Sequence, residues 1–283
     1  MSRGVTQSSV AGASALDIDV QNVSFAYPDG TLALDGASLR IEPGQLVAIV
    51  GQNGSGKSTL VRHFNGLLRP KTGTVRLGGE AIGARHVAEL ARSVGIAFQN
   101  PDRQIFGRSV GAEVRFGARN IGLSGGELDR RAASALDQVG LTGSEVVNPY
   151  DLGFSRRKLL GIASILAMQT PVVVLDEPTT GQDAAGVQRV ADIIASLSAA
   201  GRTVIAISHD MRFVAEHFER VVVMRAGTIA MDGTPAQVFA ENAWPTLEST
   251  FLEPPYPARV GAKLGLGSTP TDAALVEALR SRA

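Results

Sequence analysis

The fold of this chain is decided by one short stretch, Gly51-Gln52-Asn53-Gly54-Ser55-Gly56-Lys57-Ser58-Thr59. The apolar run before it, Leu46 to Val50, predicts a buried strand, and Lys57 to Leu68 predicts a helix that Pro70 ends. The stretch fits G-x-x-x-x-G-K-[ST], which between a strand and a helix indicates a phosphate-binding loop. A plain glycine-rich turn at a helix start is the alternative, and the flanking elements count against it.

The residue types in this loop suit a bound triphosphate and its metal ion. Glycines let successive backbone N–H groups point inward at phosphate oxygens, and the start of the helix adds partial positive charge. We expect Lys57 to reach the β- and γ-phosphates and the hydroxyl of Ser58 to bind Mg²⁺. The sequence therefore predicts a nucleotide site that uses Mg²⁺.

Two carboxylates follow another apolar run. Val172 to Leu175 predicts a strand, and Asp176 and Glu177 come directly after it. Ligands bind at the carboxyl ends of strands in open α/β sheets, so these acids are expected beside the phosphates. Asp176 would hold Mg²⁺ and Glu177 would act as the general base toward the attacking water. A solvated turn is the alternative, which the upstream phosphate loop disfavours.

Three further residues are candidates for the same site. His209 follows the strand-like run Thr203 to Ile207, where it could contact the γ-phosphate or the attacking water, although a lone histidine is often structural. Gln99 follows Val94 to Phe98 and could contribute to catalysis and to Mg²⁺ binding, although such a glutamine is commonly a surface residue. Tyr27 could stack on the nucleotide base, or it could be a half-buried core tyrosine.

Composition narrows the class of protein. The chain has 283 residues, of which 44% are hydrophobic and 19% charged, as in ordinary globular proteins. Lys plus Arg and Asp plus Glu number 27 each, so no basic excess indicates nucleic acid as a partner. The absence of cysteine excludes disulfides and thiol chemistry and fits a reducing cytoplasm. The longest apolar stretch, Leu159 to Met168, is too short to span a membrane.

The order of the runs predicts an α/β fold: a P-loop nucleotide-hydrolase core with a mainly parallel sheet, an antiparallel β subdomain and an inserted helical subdomain. We expect residues 1–15 to be a flexible tail, 16–240 the nucleotide-binding domain with its helical subdomain at about 100–168, and 241–283 a small C-terminal extension. The remaining expected strands are Asp17–Tyr27, Leu32–Ile41, Val221–Met224 and Thr228–Met231; the remaining expected helices are Glu127–Val139, Ser155–Met168, Ala184–Leu197 and Thr271–Arg280.

The series of motifs resembles the nucleotide-binding domain of ABC transporters in order and spacing. It comprises Tyr27, the phosphate loop, Gln99, the acidic pair, Gly181-Gln182-Asp183 and His209, and covers about residues 17–240. Within that superfamily, the segment Phe98 to Phe106 resembles ATPases of energy-coupling-factor transporters, the cobalt, nickel and vitamin importers. The segments Leu252 to Pro255 and Thr269 to Thr271 are similar to the C-terminal extension of those ATPases.

The resemblance implies an ATPase that hydrolyses ATP with Mg²⁺ on the cytoplasmic face of the membrane. It also implies head-to-tail pairing with a second ABC ATPase subunit, a transmembrane coupling subunit and a substrate-binding membrane subunit. Each ATP would then lie between one subunit's phosphate loop and its partner's signature segment, usually L-S-G-G-Q.

The signature segment is expected at Leu152-Gly153-Phe154-Ser155, which lies 24 residues before the acidic pair, as the family's signature does. Leu123 to Glu127 reads more like the signature, but it lies 53 residues before Asp176, so we interpret it as a turn with Ser124 as a helix cap. Phe154 stands where close approach to phosphate requires glycine, so this segment should be impaired and a heterodimer is favoured. Ser155, at the start of the helix, could partly substitute. Arg156-Arg157-Lys158 is interpreted most simply as a solvated helix face, with an electrostatic role near the nucleotide as the alternative.

Two rival functions stay open on sequence grounds. A soluble ABC ATPase working on DNA or ribosomes usually carries long coiled-coil insertions or two cassettes, and neither is present. A P-loop kinase for a small metabolite would leave His209, Gln99 and the C-terminal extension unexplained. The transported solute is not encoded in these motifs.

Overall fold

A computed structural model describes residues 16–282, and the expected flexible tail, residues 1–15, lies outside them. In that range the strands are β1 (Ile18–Ala26), β2 (Leu32–Ile41), β3 (Leu46–Val50), β4 (Thr72–Leu77), β5 (Glu80–Ala81), β6 (Val94–Ala97), β7 (Val172–Asp176), β8 (Thr203–Ile207), β9 (Arg220–Arg225) and β10 (Thr228–Gly233). The α-helices are α1 (Lys57–Phe64), α2 (Val87–Leu90), α3 (Val110–Asn120), α4 (Gly125–Gln138), α5 (Phe154–Met168), α6 (Ala184–Ala199), α7 (Met211–His217), α8 (Pro235–Val238), α9 (Trp244–Glu248), α10 (Tyr256–Lys263) and α11 (Asp272–Arg282).

The strands form two sheets. The larger has the order β10-β9-β3-β8-β7-β6, in which β10 alone runs antiparallel to its neighbour, and the smaller is antiparallel with the order β2-β1-β4-β5. Strands β3, β7 and β8 are buried along their whole length, as expected for parallel strands covered on both faces. The predicted α/β fold class is confirmed, with its parallel core and antiparallel β unit.

The inserted helical part consists of α3, α4 and α5, which pack against one another. Helix α5 carries the longest buried surface of the three, because every residue from Lys158 to Ala167 is buried. The helix leads directly into β7, so it joins the helical part to the edge of the nucleotide site. Apolar side chains of all three helices share one core with the central sheet.

Several sequence-based expectations need correction. Helix α1 ends at Phe64 instead of Leu68, because Asn65 caps it and the chain turns at Gly66, whose φ is +73°. Ser124 occupies the N-cap position of α4, but its side chain makes no capping hydrogen bond. The strands β4 and β5 were not predicted, since their sequence is short and rich in glycine and polar residues.

The C-terminal segment contains three helices, α9, α10 and α11, where one was expected. Leu247, Leu252 and Ala258 are buried in the same core as the central sheet. Arg212 on α7 forms a 2.7 Å ion pair with Asp272 at the start of α11. This segment is therefore packed onto the nucleotide-binding core along its own apolar face.

Gly227, in the turn between β9 and β10, connects three parts of the fold. Its N–H donates to the carbonyl oxygen of Ser55 in the phosphate loop at 3.0 Å, and its carbonyl oxygen accepts from the N–H of Asp35 on β2 at 3.1 Å. Its φ is +80°, and an added Cβ would lie 3.0 Å from backbone atoms of residues 33–35. Only glycine satisfies both the backbone conformation and the close approach.

Gly227→Ala should destabilise the fold more than the same replacement at another left-handed glycine that has open space around it. We expect Gly227→Ala to lower the free energy of unfolding by about 2–4 kcal/mol, because strain and overpacking add. Gly201→Ala is the matched control: its φ is +70° and nothing lies within 4 Å of an added Cβ. That variant should lose about 1 kcal/mol in urea denaturation, and equal losses in the two variants would contradict the role of close approach.

Candidate nucleotide-binding site

A cavity of about 140 Å³ lies at the carboxyl ends of β3, β7 and β8. The structure brings most of the sequence-predicted site residues to this one place. The lining residues are Asn53, Gly54, Ser55, Gly56, Lys57, Ser58, Thr59, Gln99, Asp176, Glu177, Ile207 and His209.

The loop from Gly51 to Thr59 has the shape of a cradle. The Nζ of Lys57 donates to the carbonyl oxygens of Gly51 at 2.6 Å and Gln52 at 2.9 Å, which curls the loop around the ammonium group. Burial lowers the pKa of Lys57, while the carboxylates of Glu177 and Asp176 oppose this shift. A Cβ on Gly51 would lie 2.3 Å from the carbonyl oxygen of Met224, and one on Gly56 would lie 2.5 Å from that of Ala33. Side chains at these two positions would therefore break the cradle.

Ser58 and Asp176 fit a magnesium site. The Oγ of Ser58 donates to Oδ2 of Asp176 at 3.1 Å, and Oδ1 of Asp176 is buried without a hydrogen-bond partner among the described residues. Burial raises the pKa of Asp176, and the hydrogen bond from Ser58 opposes this shift. No cluster of three or more His, Cys, Asp or Glu side chains in residues 16–282 could hold a metal alone. Mg²⁺ commonly combines one carboxylate with nucleotide phosphates, and the two residues suit that arrangement.

Glu177 is held in an uncommon backbone conformation. Its φ is +52°, in the left-handed region, and its N–H donates to the carbonyl oxygen of Ile207 at 2.9 Å. Burial raises the pKa of its carboxyl group, while the hydroxyl of Thr180, which donates to Oε2 at 3.2 Å, opposes the shift. A buried carboxylate with a raised pKa is a stronger base, and strained backbone of this kind concentrates at functional sites.

His209 and Gln99 line the same cavity as this carboxylate. Nε2 of His209 lies 3.0 Å from Oε1 of Glu177, and burial lowers the pKa of the imidazole, as does the charge of Lys57 to a smaller extent. His209 is therefore neutral at pH 7 and can act as a hydrogen-bond donor or acceptor. Gln99 is exposed and lines the cavity from the end of β6.

Tyr27 lies beside the loop helix and not in the cavity wall. Its hydroxyl is 3.0 Å from Oγ1 of Thr59, and its ring meets that of Phe25 edge to face, with centroids 5.1 Å apart. The ring is partly buried, so one part of it is available to a ligand next to α1. A stacking role for Tyr27 stays a prediction.

A larger cavity of about 550 Å³ adjoins the first. The two share Ser58, Gln99 and Asp176. The larger cavity is otherwise lined by α1, by the turn after it and by the segment after β6, through Arg62, Leu67, Leu68, Phe98, Asn100 and Arg103. The arginines were not among the predicted site residues, since only the three-dimensional fold brings these segments together.

The expected signature position does open the helix that leads into β7. Gly153 is the N-cap of α5, Phe154 is its first residue, and Gly153 caps the helix without a side chain. The ring of Phe154 lies against Gly181, where an added Cβ would be 2.8 Å from Cε1 of the ring. By contrast, Leu123 to Glu127 opens α4. The placement at Leu152 to Ser155 is consistent with the spacing argument.

The basic run that follows was interpreted as a solvated helix face, and this is wrong for Lys158. Arg156 is exposed, whereas Lys158 is only 4% exposed and its Nζ donates to the carbonyl oxygen of Thr180 at 2.9 Å. The helical periodicity of α5 could have predicted this burial, because Lys158 lies one turn after Phe154 and one turn before the buried Ile162.

The fold and the site together define the class: an α/β P-loop nucleotide-binding protein with an acidic strand end beside its phosphate loop. The sequence model of the ABC transporter family matches residues 34–180. Two relatives, energy-coupling factor transporter ATP-binding proteins EcfA of Methanothermobacter thermautotrophicus and Methanocaldococcus jannaschii, are each 41% identical over 226 residues. That overlap is 79% of this chain and 73% and 81% of theirs.

Solved structures agree. The structure of cbiO1 from Clostridium perfringens, part of the ABC transporter complex cbiONQ, is 34% identical with a TM-score of 0.72, over 88% of this chain and 98% of that one. This chain belongs to the ABC transporter family as an ATP-binding subunit, and it is an ATPase of the kind found among energy-coupling-factor proteins.

The buried Lys158 predicts a dependence of stability on pH. Burial lowers the pKa of Lys158 from 10.5, its ordinary value, to about 8 in the folded chain. As pH rises from 8 to 10.5 the folded chain releases the lysine proton before the unfolded chain does, and the free-energy cost of burying the charge disappears. Relative to Lys158→Met, the wild type should therefore gain roughly 3 kcal/mol in free energy of unfolding across that window. Urea denaturation at both pH values measures the gain, and a pH-independent difference between the proteins would contradict it.

Proposed function

We propose that this chain is the ATP-hydrolysing subunit that energises a membrane importer of the energy-coupling-factor type, for a metal ion or a vitamin. The observation that carries the proposal is the meeting of the phosphate loop, the acidic pair and His209 in one cavity. It is supported by the relatives named EcfA and by cbiO1, which is part of a transporter complex. Within residues 16–282 no helix is both long and apolar enough to cross a bilayer. The chain would work at the cytoplasmic face through membrane partners.

The roles of the residues follow from their positions. The loop from Gly51 to Thr59 would bind the phosphates of ATP, and Ser58, Asp176 and Gln99 would hold Mg²⁺, which supplies charge stabilisation at the transferred phosphoryl group when bound. Glu177 would accept a proton from the attacking water, since its carboxylate is buried and has a raised pKa. Neutral His209, 3.0 Å from that carboxylate, would orient the water or contact the γ-phosphate.

We also propose that this chain pairs with a second ABC ATPase and that its own signature segment is impaired. Close contact with a γ-phosphate needs bare backbone and hydrogen-bond donors at the start of the helix. Here Phe154 places a ring, 43% exposed, at that point. Ser155 does not replace the missing donor, because its hydroxyl already donates to Oε1 of Gln182 at 2.6 Å. A partner with an intact signature would complete this chain's phosphate loop, which favours a heterodimer.

The larger cavity beside Gln99 is the proposed docking site of the transmembrane coupling subunit. It shares Ser58, Gln99 and Asp176 with the nucleotide site, so docking there would act on the nucleotide through these three residues. The substrate-binding membrane subunit would choose the solute.

Turnover of ATP by the full chain at high protein concentration tests the activity and the pairing. We expect negligible turnover by the chain alone and restored turnover when a related ATPase subunit with an intact signature is added. Glu177→Gln should bind ATP like the wild type but lower that turnover by about 10²-fold or more, because the general base is lost. Substantial, Glu177-dependent turnover by the chain alone would overturn the impaired signature, and turnover unaffected by Glu177→Gln would overturn the assigned base.

Restoring the signature should convert the chain into a self-sufficient ATPase. The double variant Gly153→Ser, Phe154→Gly supplies a hydroxyl donor and removes the ring. Serine fits, because nothing lies within 4 Å of an added Cβ at position 153. We expect turnover by this variant alone to exceed that of the wild type at least tenfold at equal concentration. Gly153→Ser by itself, which keeps the ring, is the control and should stay near the wild-type rate.

A further inference from the structure

The start of α5 is bound to this chain's own catalytic loop. Nζ of Lys158 donates to the carbonyl oxygen of Thr180 at 2.9 Å, and the hydroxyl of Thr180 donates to Oε2 of Glu177 at 3.2 Å. Two hydrogen bonds therefore connect a helix of the inserted part to the proposed general base. The other carboxylate oxygen, Oε1, is the one that lies 3.0 Å from Nε2 of His209.

Two neighbours of Lys158 strengthen this connection. The ring centroid of Phe154 lies 5.9 Å from Nζ, so the ring covers the ammonium group on one side, and its edge lies against Gly181. Ser155 and Gln182 exchange two hydrogen bonds, at 2.6 Å from the serine hydroxyl and 3.1 Å to the serine carbonyl oxygen. Lys158, Phe154 and Ser155 thus contact Thr180, Gly181 and Gln182, respectively.

The burial of this charge is not explained by stability. Taking an ammonium group out of water is costly, and an apolar side chain of similar length would fill the same space at lower cost. Burial lowers the pKa of Lys158 to about 8, and the nearby carboxylates of Glu177 and Asp176 oppose the shift. A costly buried cation that faces the acidic pair and donates to the loop beside it is better explained by function.

We propose that Lys158 is a positioning residue for this chain's own ATP site, fixing Thr180 so that its hydroxyl holds Oε2 of Glu177 and leaves Oε1 directed at the attacking water. The start of α5, which we propose meets a partner's nucleotide, also contacts the loop beside the general base of its own subunit. This inference rests on the proposed function, ATP hydrolysis with Glu177 as the base.

A double-mutant cycle tests this role in the assembly that shows Glu177-dependent turnover. Lys158→Met keeps the apolar stem and removes the donor, and Thr180→Val keeps the shape of the side chain and removes the hydroxyl. We expect each variant to lower kcat about tenfold with KM for ATP within twofold of the wild type. Because Lys158 acts through the hydroxyl of Thr180, the double variant should be no slower than the slower single variant.

Lys71→Met is the matched control, because Lys71 is exposed. ATP turnover by this variant should equal that of the wild type. Wild-type kcat in Lys158→Met, or losses that multiply in the double variant, would overturn the positioning role while leaving the assigned function intact. Turnover that does not depend on Glu177 would overturn the proposed function, and this inference with it. If Lys158 had only a structural role, Lys158→Met would lower thermal stability and the active fraction by the same factor in the wild type and in Thr180→Val. The losses of the two single variants would then multiply in the double variant.

Discussion

The positions of the phosphate loop, the acidic pair and His209 all depend on the side-by-side pairing of β3, β8 and β7. The register sets Ile49 opposite Ile207 and Asp176 opposite Ile207 on the other side, so the phosphate loop, the acidic pair and His209 leave the sheet at the same level. Apolar side chains alone occupy β3, and they form the interior on both faces. The functional groups of the site are therefore positioned mainly by hydrophobic burial of the strands from which they extend.

The site concentrates charge that the interior would otherwise reject. Lys57, Lys158, Asp176 and Glu177 are all buried, two cations with two anions. Their mutual attraction offsets part of the desolvation cost. The hydrogen bonds that Ser58 and Thr180 donate to the two carboxylates offset a further part. Substitution of one member changes the charge balance around the other three, so substitutions here affect folding and chemistry together.

Sequence patterns predicted most strands of the central sheet and the meeting of the phosphate loop, the acidic pair and His209 at one edge of it, because a phosphate loop and continuous apolar runs are local signals. The strands β4 and β5 lacked such a signal, since glycine and polar residues dominate them. The end of α1 was placed four residues too late, because the turn at Gly66 followed an apolar periodicity that continued to Leu68. Lys158 was assigned to solvent as part of a charged run, although its surroundings come from a loop 22 residues away in sequence. The helical period indicates that Lys158 lies on the buried face of α5, but the sequence alone does not indicate that its partner is Thr180.

The turn at Gly227 has a consequence for how tightly a nucleotide can be held. Its two backbone hydrogen bonds fasten the phosphate loop at Ser55 to the antiparallel sheet at Asp35, so the two walls that would meet a nucleotide are joined through a segment outside the cavity. A loop that is already fixed surrenders little conformational freedom on association, and less of the interaction energy is spent on ordering it. Gly227, which lies outside the lining of the cavity, would thus lower the entropic cost of binding a nucleotide there.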